Sequence, residues 1–128
     1  MWSAVTIAAI ILAIAAVAID VSMRTGSHTT STQSPYAFVT IVNSTQSNPG
    51  VFAFVPSTII VVLGVNNTVI WKNNDTIYHT VTSYNGTFDS GLLAGGASWN
   101  FTFTKPGTYP YHCKLHLFMT GSVIVVSG

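Results

Sequence analysis

Tyr109-Pro-Tyr-His-Cys-Lys-Leu-His-Leu-Phe-Met119 is the stretch from which the rest of the chain is best read. Cys113, His116 and Met119 recur at every third position. On an extended strand, at about 3.3 Å per residue, they would be scattered over ~20 Å. A turn or one coil of helix would bring all three to one side. In the arm before them, strand alternation places Tyr109, Tyr111 and Cys113 on one face and Pro110 and His112 on the other. His112 therefore points away from Cys113 and reads as a structural histidine. Thiolate, imidazole and thioether on one curled loop, joined by the distant imidazole of His79, are the donors of a His₂Cys copper site with a weak axial Met. The plain alternative is a turn that merely buries these side chains. Leu117 and Phe118 already supply apolar packing there, and a loop that needed only packing has no use for an imidazole.

Working outward, the chain from Pro35 onward consists of short β-branched and aromatic runs separated by turn residues, the pattern of an all-β sandwich. Expected strands are 36–42, 51–55, 58–63, 68–72, 79–83, 98–103, 107–112 and 121–126. Asn48-Pro49-Gly50, Gly64-Val65-Asn66-Asn67 and Lys105-Pro106-Gly107 supply the turns: Pro fixes φ at one position, and Gly or Asn tolerates positive φ at the next. In Trp99-Asn-Phe-Thr-Phe103 the aromatics take alternate places, so one face is buried and the other wet. No stretch after residue 35 keeps helical period long enough for a substantial helix.

The N-terminal quarter is different in kind. Residues 2–19 carry no charge, and as a helix they would be roughly 27–30 Å long, enough to cross a bilayer. Residues 1–24 therefore read as a retained transmembrane anchor with its membrane contact over residues 2–21. A cleaved secretory signal is the competing reading, favoured by Ala16-Val17-Ala18 and opposed by the lack of a basic residue before the apolar run. Either way the remainder is exported. The expected location is the cytoplasmic membrane, single-pass, with the folded domain on the extracytoplasmic face. Arg24 lies after the span, however, where it gives a weak orienting signal of the wrong sense. Residues 25–35 are a Ser/Thr-rich flexible linker with nothing to bury. His28 lies inside it, without partners for a metal. The folded domain is expected over 36–128.

Charge is sparse: four Lys and Arg against three acidic residues in 128, for a net charge of +1. There is no basic stripe for nucleic acid. The single cysteine excludes an internal disulfide, a paired-cysteine zinc site and a Cys-x-x-Cys redox motif. It also excludes a binuclear copper centre, which would need a second thiolate. Asn-x-Ser/Thr acceptors at Asn43, Asn66, Asn74, Asn85 and Asn100 raise the expectation of a glycosylated, extracellular surface, with Asn100 the least suited because it sits inside an expected strand.

Three segments resemble the cupredoxins, most closely the amicyanin and plastocyanin branch: Phe88-Asp-Ser-Gly-Leu-Leu93, Phe101-Thr-Phe-Thr-Lys-Pro-Gly-Thr-Tyr-Pro-Tyr-His-Cys113 and His116-Leu-Phe-Met-Thr-Gly-Ser-Val-Ile-Val-Val126. Pro56, Gly64, Val69-Ile-Trp-Lys-Asn73 and His79-Thr-Val81 extend the resemblance over roughly residues 36–127. It implies a Greek-key β-sandwich holding one type 1 copper ion, Cu(I)/Cu(II), on His79, Cys113, His116 and Met119. The implied role is one-electron transfer between redox partners, with His116 the exposed ligand.

The sequence departs from that branch in three places. Thr80 follows the first ligand histidine where those proteins have Asn, and its hydroxyl could brace the ligand loop instead. Leu115 replaces a Pro and keeps its N–H, so a second N–H···S bond to Cys113 is expected. That bond and the charge of Lys114 would both favour Cu(I) and raise the reduction potential above that of amicyanin. Leu117 replaces another Pro, which should loosen the loop.

Leu92, Leu93, Leu115, Leu117 and Phe118 are expected to form an apolar rim around His116 where protein redox partners dock. The functional expectation is a membrane-anchored electron carrier, free or fixed as a non-catalytic subunit of a respiratory complex. Copper storage or chaperoning, and a cell-surface structural module, are the alternatives. A single buried copper offers no open position for substrate, so catalysis is not expected.

Overall fold

The computed structural model describes residues 32–44 and 51–128. Residues 33–128 form one compact unit. The expected membrane span, His28 and most of the linker lie outside the described residues. Among the described residues no helix is long and apolar enough to cross a membrane.

Eight strands form the domain: β1 (Tyr36–Ser44), β2 (Val51–Val55), β3 (Thr58–Val62), β4 (Thr68–Asn73), β5 (Thr82–Ser83), β6 (Ser98–Thr102), β7 (Gly107–Cys113) and β8 (His116–Val126). They make two four-stranded sheets, ordered β2-β1-β4-β6 and β3-β8-β7-β5. β1 and β4 are parallel, as are β3 and β8, and the remaining pairs are antiparallel. The expected all-β sandwich is therefore the fold of this domain, and no described residue is helical.

Alternation explains which residues fill it. Ala37, Val39 and Ile41 of β1 point inward while Tyr36 and Phe38 face out. Val69, Trp71 and Asn73 do the same on β4, and Tyr111 and Cys113 on β7. The two inner faces meet around Trp71, Phe88, Phe103 and Tyr111. Phe88 packs within 6.1 Å of Trp99 and 5.2 Å of Phe101, ring centre to ring centre. Such large rings add heavily to the apolar burial that holds the sandwich.

Gly121 marks a close approach. It is paired directly with Tyr111 across β7 and β8, and the Tyr111 ring lies over it, so that a Cβ at position 121 would stand 2.9 Å from the ring edge at Cε2. Only glycine leaves that space. Tyr111 is fully buried, and desolvation pushes its hydroxyl up to about 12.

Two strand boundaries differ from the sequence expectation by more than two residues. The expected strand over 79–83 shrinks to Thr82–Ser83, with His79 and Leu93 joined by an isolated bridge. The ladder cannot run through, because the Thr80 N–H is turned to the Cys113 sulfur at 3.3 Å instead of to a carbonyl. The final strand, expected from Gly121, begins at His116.

Candidate metal centre

The ligand loop is neither a helical coil nor a long turn. β7 ends at Cys113, Lys114 and Leu115 turn the chain, and His116 pairs back with Cys113. The next pair in the ladder is His112 with Thr120. Leu117, Phe118 and Met119 therefore have no partner on β7 and form a bulge. In a regular strand residues three apart would face opposite ways. A bulge re-aims side chains, as it commonly does beside functional sites, and here His116 lies beside Cys113 while Met119 is buried.

His79 arrives from the other direction, in the segment before β5. Its Nδ1 is 3.8 Å from Cys113 Sγ, and Nδ1 of His116 is 3.6 Å from the same sulfur. The three donor atoms lie within 4.8 Å of one another. Metal–donor bonds of about 2.0–2.3 Å let one ion bridge sulfur and nitrogen at such separations. His79, Cys113 and Met119 are almost fully buried, and His116 is half-buried. One thiolate and two imidazoles in a dry pocket, with a thioether buried in the same bulge, suit copper better than the hard cations, which prefer oxygen. His112 takes no part: its ring stacks on Tyr84, 4.3 Å away and 20° from parallel.

Sequence reading passed over what orients His79. Its Nε2 lies 2.9 Å from Asp75 Oδ2, with both side chains buried. A carboxylate is a pure acceptor, so Nε2 carries the proton and Nδ1 presents its lone pair toward Cys113. Burial pulls the Asp75 carboxyl up, but the hydrogen bonds from His79 and Thr76 outweigh it, and the net shift is downward. Asn73 holds this loop in shape. Its Nδ2 donates to the carbonyls of Ile77 (2.9 Å) and Leu93 (3.0 Å), and its Oδ1 accepts the Asp75 N–H at 3.0 Å. The available signal was a carboxylate four residues before a candidate ligand histidine.

Thr80 does brace the ligand loop: its hydroxyl accepts the Lys114 N–H at 2.9 Å. The second sulfur bond expected from Leu115 is not formed. Among the described residues the backbone donor on Cys113 Sγ is Thr80, because Leu115 sits in the tight turn, half-exposed. Lys114 does not act as a free charge either, since its ammonium is paired with Asp89. That pairing, followed by the Gly91 N–H, holds the Asp89 carboxyl below its ordinary range. Both grounds for expecting a raised potential are thereby removed.

Four of the five residues expected in the rim are exposed. Leu92, Leu115, Leu117 and Phe118 are 64%, 50%, 74% and 63% exposed. Leu93 is the exception and belongs to the core, held by paired backbone hydrogen bonds with His79 of 3.1 and 2.8 Å. Phe52 of β2 was not anticipated. Its ring centre lies 4.4 Å from that of His116 and 5.2 Å from that of His79, so it walls one side of the pocket. Burial holds the His116 imidazole below its ordinary value, against the opposing pull of Asp75.

The family described as Cupredoxin-like domain matches residues 7–125. Amicyanin of Paracoccus denitrificans is 38% identical over 66 residues, which is 48% of this chain and 50% of that protein. Amicyanin of Paracoccus versutus is 31% identical over 70 residues, 51% and 53% of the two chains. The chain thus spans about half the length of the curated relatives it matches. Among solved structures, a purple cupredoxin from Nitrosopumilus maritimus superposes with a TM-score of 0.60 at 29% identity, over 70% of this chain and 99% of that one. A proline-to-glycine variant of amicyanin in its reduced Cu(I) form gives 0.59 at 27% identity, over 71% and 82%. With sheet order, donor cluster and family match in agreement, the chain belongs to the cupredoxin-like family.

Proposed function

We propose that His79, Cys113, His116 and Met119 hold one type 1 copper ion and that the domain passes single electrons between protein redox partners. The observation that carries this reading is the convergence of His79 Nδ1 and His116 Nδ1 on the buried Cys113 sulfur, at 3.8 and 3.6 Å. Copper bound there supplies the Cu(I)/Cu(II) couple, in a donor set that satisfies neither ion fully.

The chain's own residues do the rest. Asp75 holds His79 in one tautomer, so the ligand does not have to reorient between oxidation states. Thr80 keeps an N–H on the thiolate, Phe52 and the core keep water away, and the half-buried edge of His116 brings the site to the surface. Around that edge Leu92, Leu115, Leu117 and Phe118 form an apolar surface suited to brief docking, where close approach matters more than tight binding.

The finer reading is a carrier tethered by residues 2–21 to the outer side of the cytoplasmic membrane, free or within a respiratory complex. It rests on the uncharged N-terminal run, and the sequons at Asn74, Asn85 and Asn100, all exposed, favour an extracellular, glycosylated surface. Storage or chaperoning is the weaker reading, because one buried thiolate, buried histidine and buried thioether do not make an exchangeable site. Voltammetry of the copper-loaded domain tests the carrier: a reversible one-electron wave is expected, and an irreversible or absent wave overturns it. Fractionation of the full-length chain tests the tether, with recovery in membranes expected and recovery in the soluble fraction contradicting it.

A further inference from the structure

The residue that follows Cys113 is held at both ends by one hydrogen-bonded circuit. The Lys114 N–H donates to Thr80 Oγ1 at 2.9 Å. Thr80 Oγ1 lies 3.0 Å from Thr82 Oγ1, and Thr82 Oγ1 donates to Asp89 Oδ1 at 3.2 Å. Asp89 Oδ1 also accepts the Gly91 N–H at 2.9 Å, and Asp89 Oδ2 closes the circuit on the Lys114 ammonium. Thr80 and Thr82 are buried.

Proton directions follow from the acceptor at the end. A carboxylate only accepts, so the single Thr82 proton goes to Asp89. Thr82 oxygen must then accept, so the Thr80 proton goes to Thr82. That leaves Thr80 oxygen with its lone pairs free for the Lys114 N–H. The same Thr80 directs its backbone N–H to Cys113 Sγ at 3.3 Å. We propose that Asp89, acting through Thr82 and Thr80, is a positioning residue that fixes Lys114 and sets the N–H···S bond on Cys113.

Two structural facts separate this from ordinary surface pairing. The Lys114–Asp89 contact is 55% and 40% exposed, and such pairs contribute little by themselves. The buried part of the circuit is the threonine pair, whose hydroxyls need Asp89 as their final acceptor. Asp89 is set in place independently of Lys114: Thr82 and Asp89 form an isolated bridge, flanked by Ser83 N–H to Phe88 O and Ser90 N–H to Val81 O, both 2.9 Å. The anchor is therefore built on the scaffold and the ligand turn is tied to it.

The inference deepens the copper reading, and its first test needs no metal. Amide hydrogen exchange is followed by NMR in the copper-free domain for wild type, Thr82→Val, Asp89→Ala, Lys114→Met and the conservative Thr82→Ser. Thr82→Val and Asp89→Ala should each speed exchange at Lys114 and Thr80 by about tenfold or more over the change at core amides such as Val123. The double variant should add little, since both cut one circuit. Thr82→Ser should restore protection, and Lys114→Met, which leaves the threonines and Asp89 in contact, should keep most of it. Copper-loaded Thr82→Val should show a shifted thiolate absorption band that Thr82→Ser returns to the wild-type position. Equal exchange at Lys114 in all variants, or a rise spread evenly over the whole domain, overturns the proposal. A protein that takes up no copper but shows the local exchange pattern retains the circuit and defeats the copper reading alone.

Discussion

Asp75 Oδ2 and His79 Nε2 lie 2.9 Å apart with both side chains buried, and this contact decides which nitrogen of His79 faces Cys113. A histidine free to adopt either tautomer would present a donor to the metal only part of the time. Asp75→Asn and Asp75→Ala should therefore weaken copper binding about 10–100-fold, the usual range for loss of an outer-sphere partner. Competition titration against a chelator of known affinity measures it, and unchanged affinity would contradict the assignment.

The acid limb of stability follows from three groups. His116 is held below the usual histidine value, first by desolvation. In the copper-free protein the unfolded chain takes up that proton first, so stability declines as pH falls below about 6.5 and levels once the folded form is protonated as well. Asp75 and Asp89 are lowered from 3.8. Their contributions are present above about pH 4 and are lost as pH falls through their folded values. Urea midpoints from pH 8 to pH 3 should fall in two stages, and His116→Gln should flatten the upper one.

Gly121→Ala places a methyl group against the buried Tyr111 ring. It should cost about 1–3 kcal/mol of stability, the range for overpacking. Thermal unfolding measures this, and Tyr111→Phe, which leaves the ring in place, should not rescue it.

Leu117→Lys puts a charge in the apolar docking surface proposed around His116, at a side chain 74% exposed. Fold and visible spectrum should be unchanged. On the proposed route through His116 two copies exchange electrons by approaching at that surface, so self-exchange should slow by about tenfold or more at low salt and recover partly as salt is added. Self-exchange equal to wild type would place the electron route elsewhere.

The parts of this protein that sequence made legible are those governed by period and residue type. The alternation of Tyr109, Tyr111 and Cys113 placed β7 correctly and removed His112 from the site. Gly64-Val65-Asn66-Asn67 and Lys105-Pro106-Gly107 located two connections between strands, the expected turn at Asn48-Pro49-Gly50 lies outside the described residues, and the strands up to residue 73 fell within two residues of their places. The site's supports were less visible because they depend on where backbone donors are spent. Thr80 gives its N–H to sulfur and so interrupts the expected strand at 79–83. The bulge over Leu117 to Met119 is a property of register between two strands, and nothing in either strand alone announces it. Leu92 and Leu93 are chemically alike, yet only Leu93 is paired to His79 through its backbone, which draws it into the core. The proposed contribution of Leu115 failed for a similar reason: an available N–H is not a bond unless the turn aims it at an acceptor.

Optical absorption of the copper-loaded, oxidised domain bears most directly on the central claim, that His79, Cys113, His116 and Met119 form one copper site. An intense visible thiolate-to-copper band is predicted, lost on reduction and absent from Cys113→Ala. A colourless protein after copper loading, or a band that persists in Cys113→Ala, would contradict it.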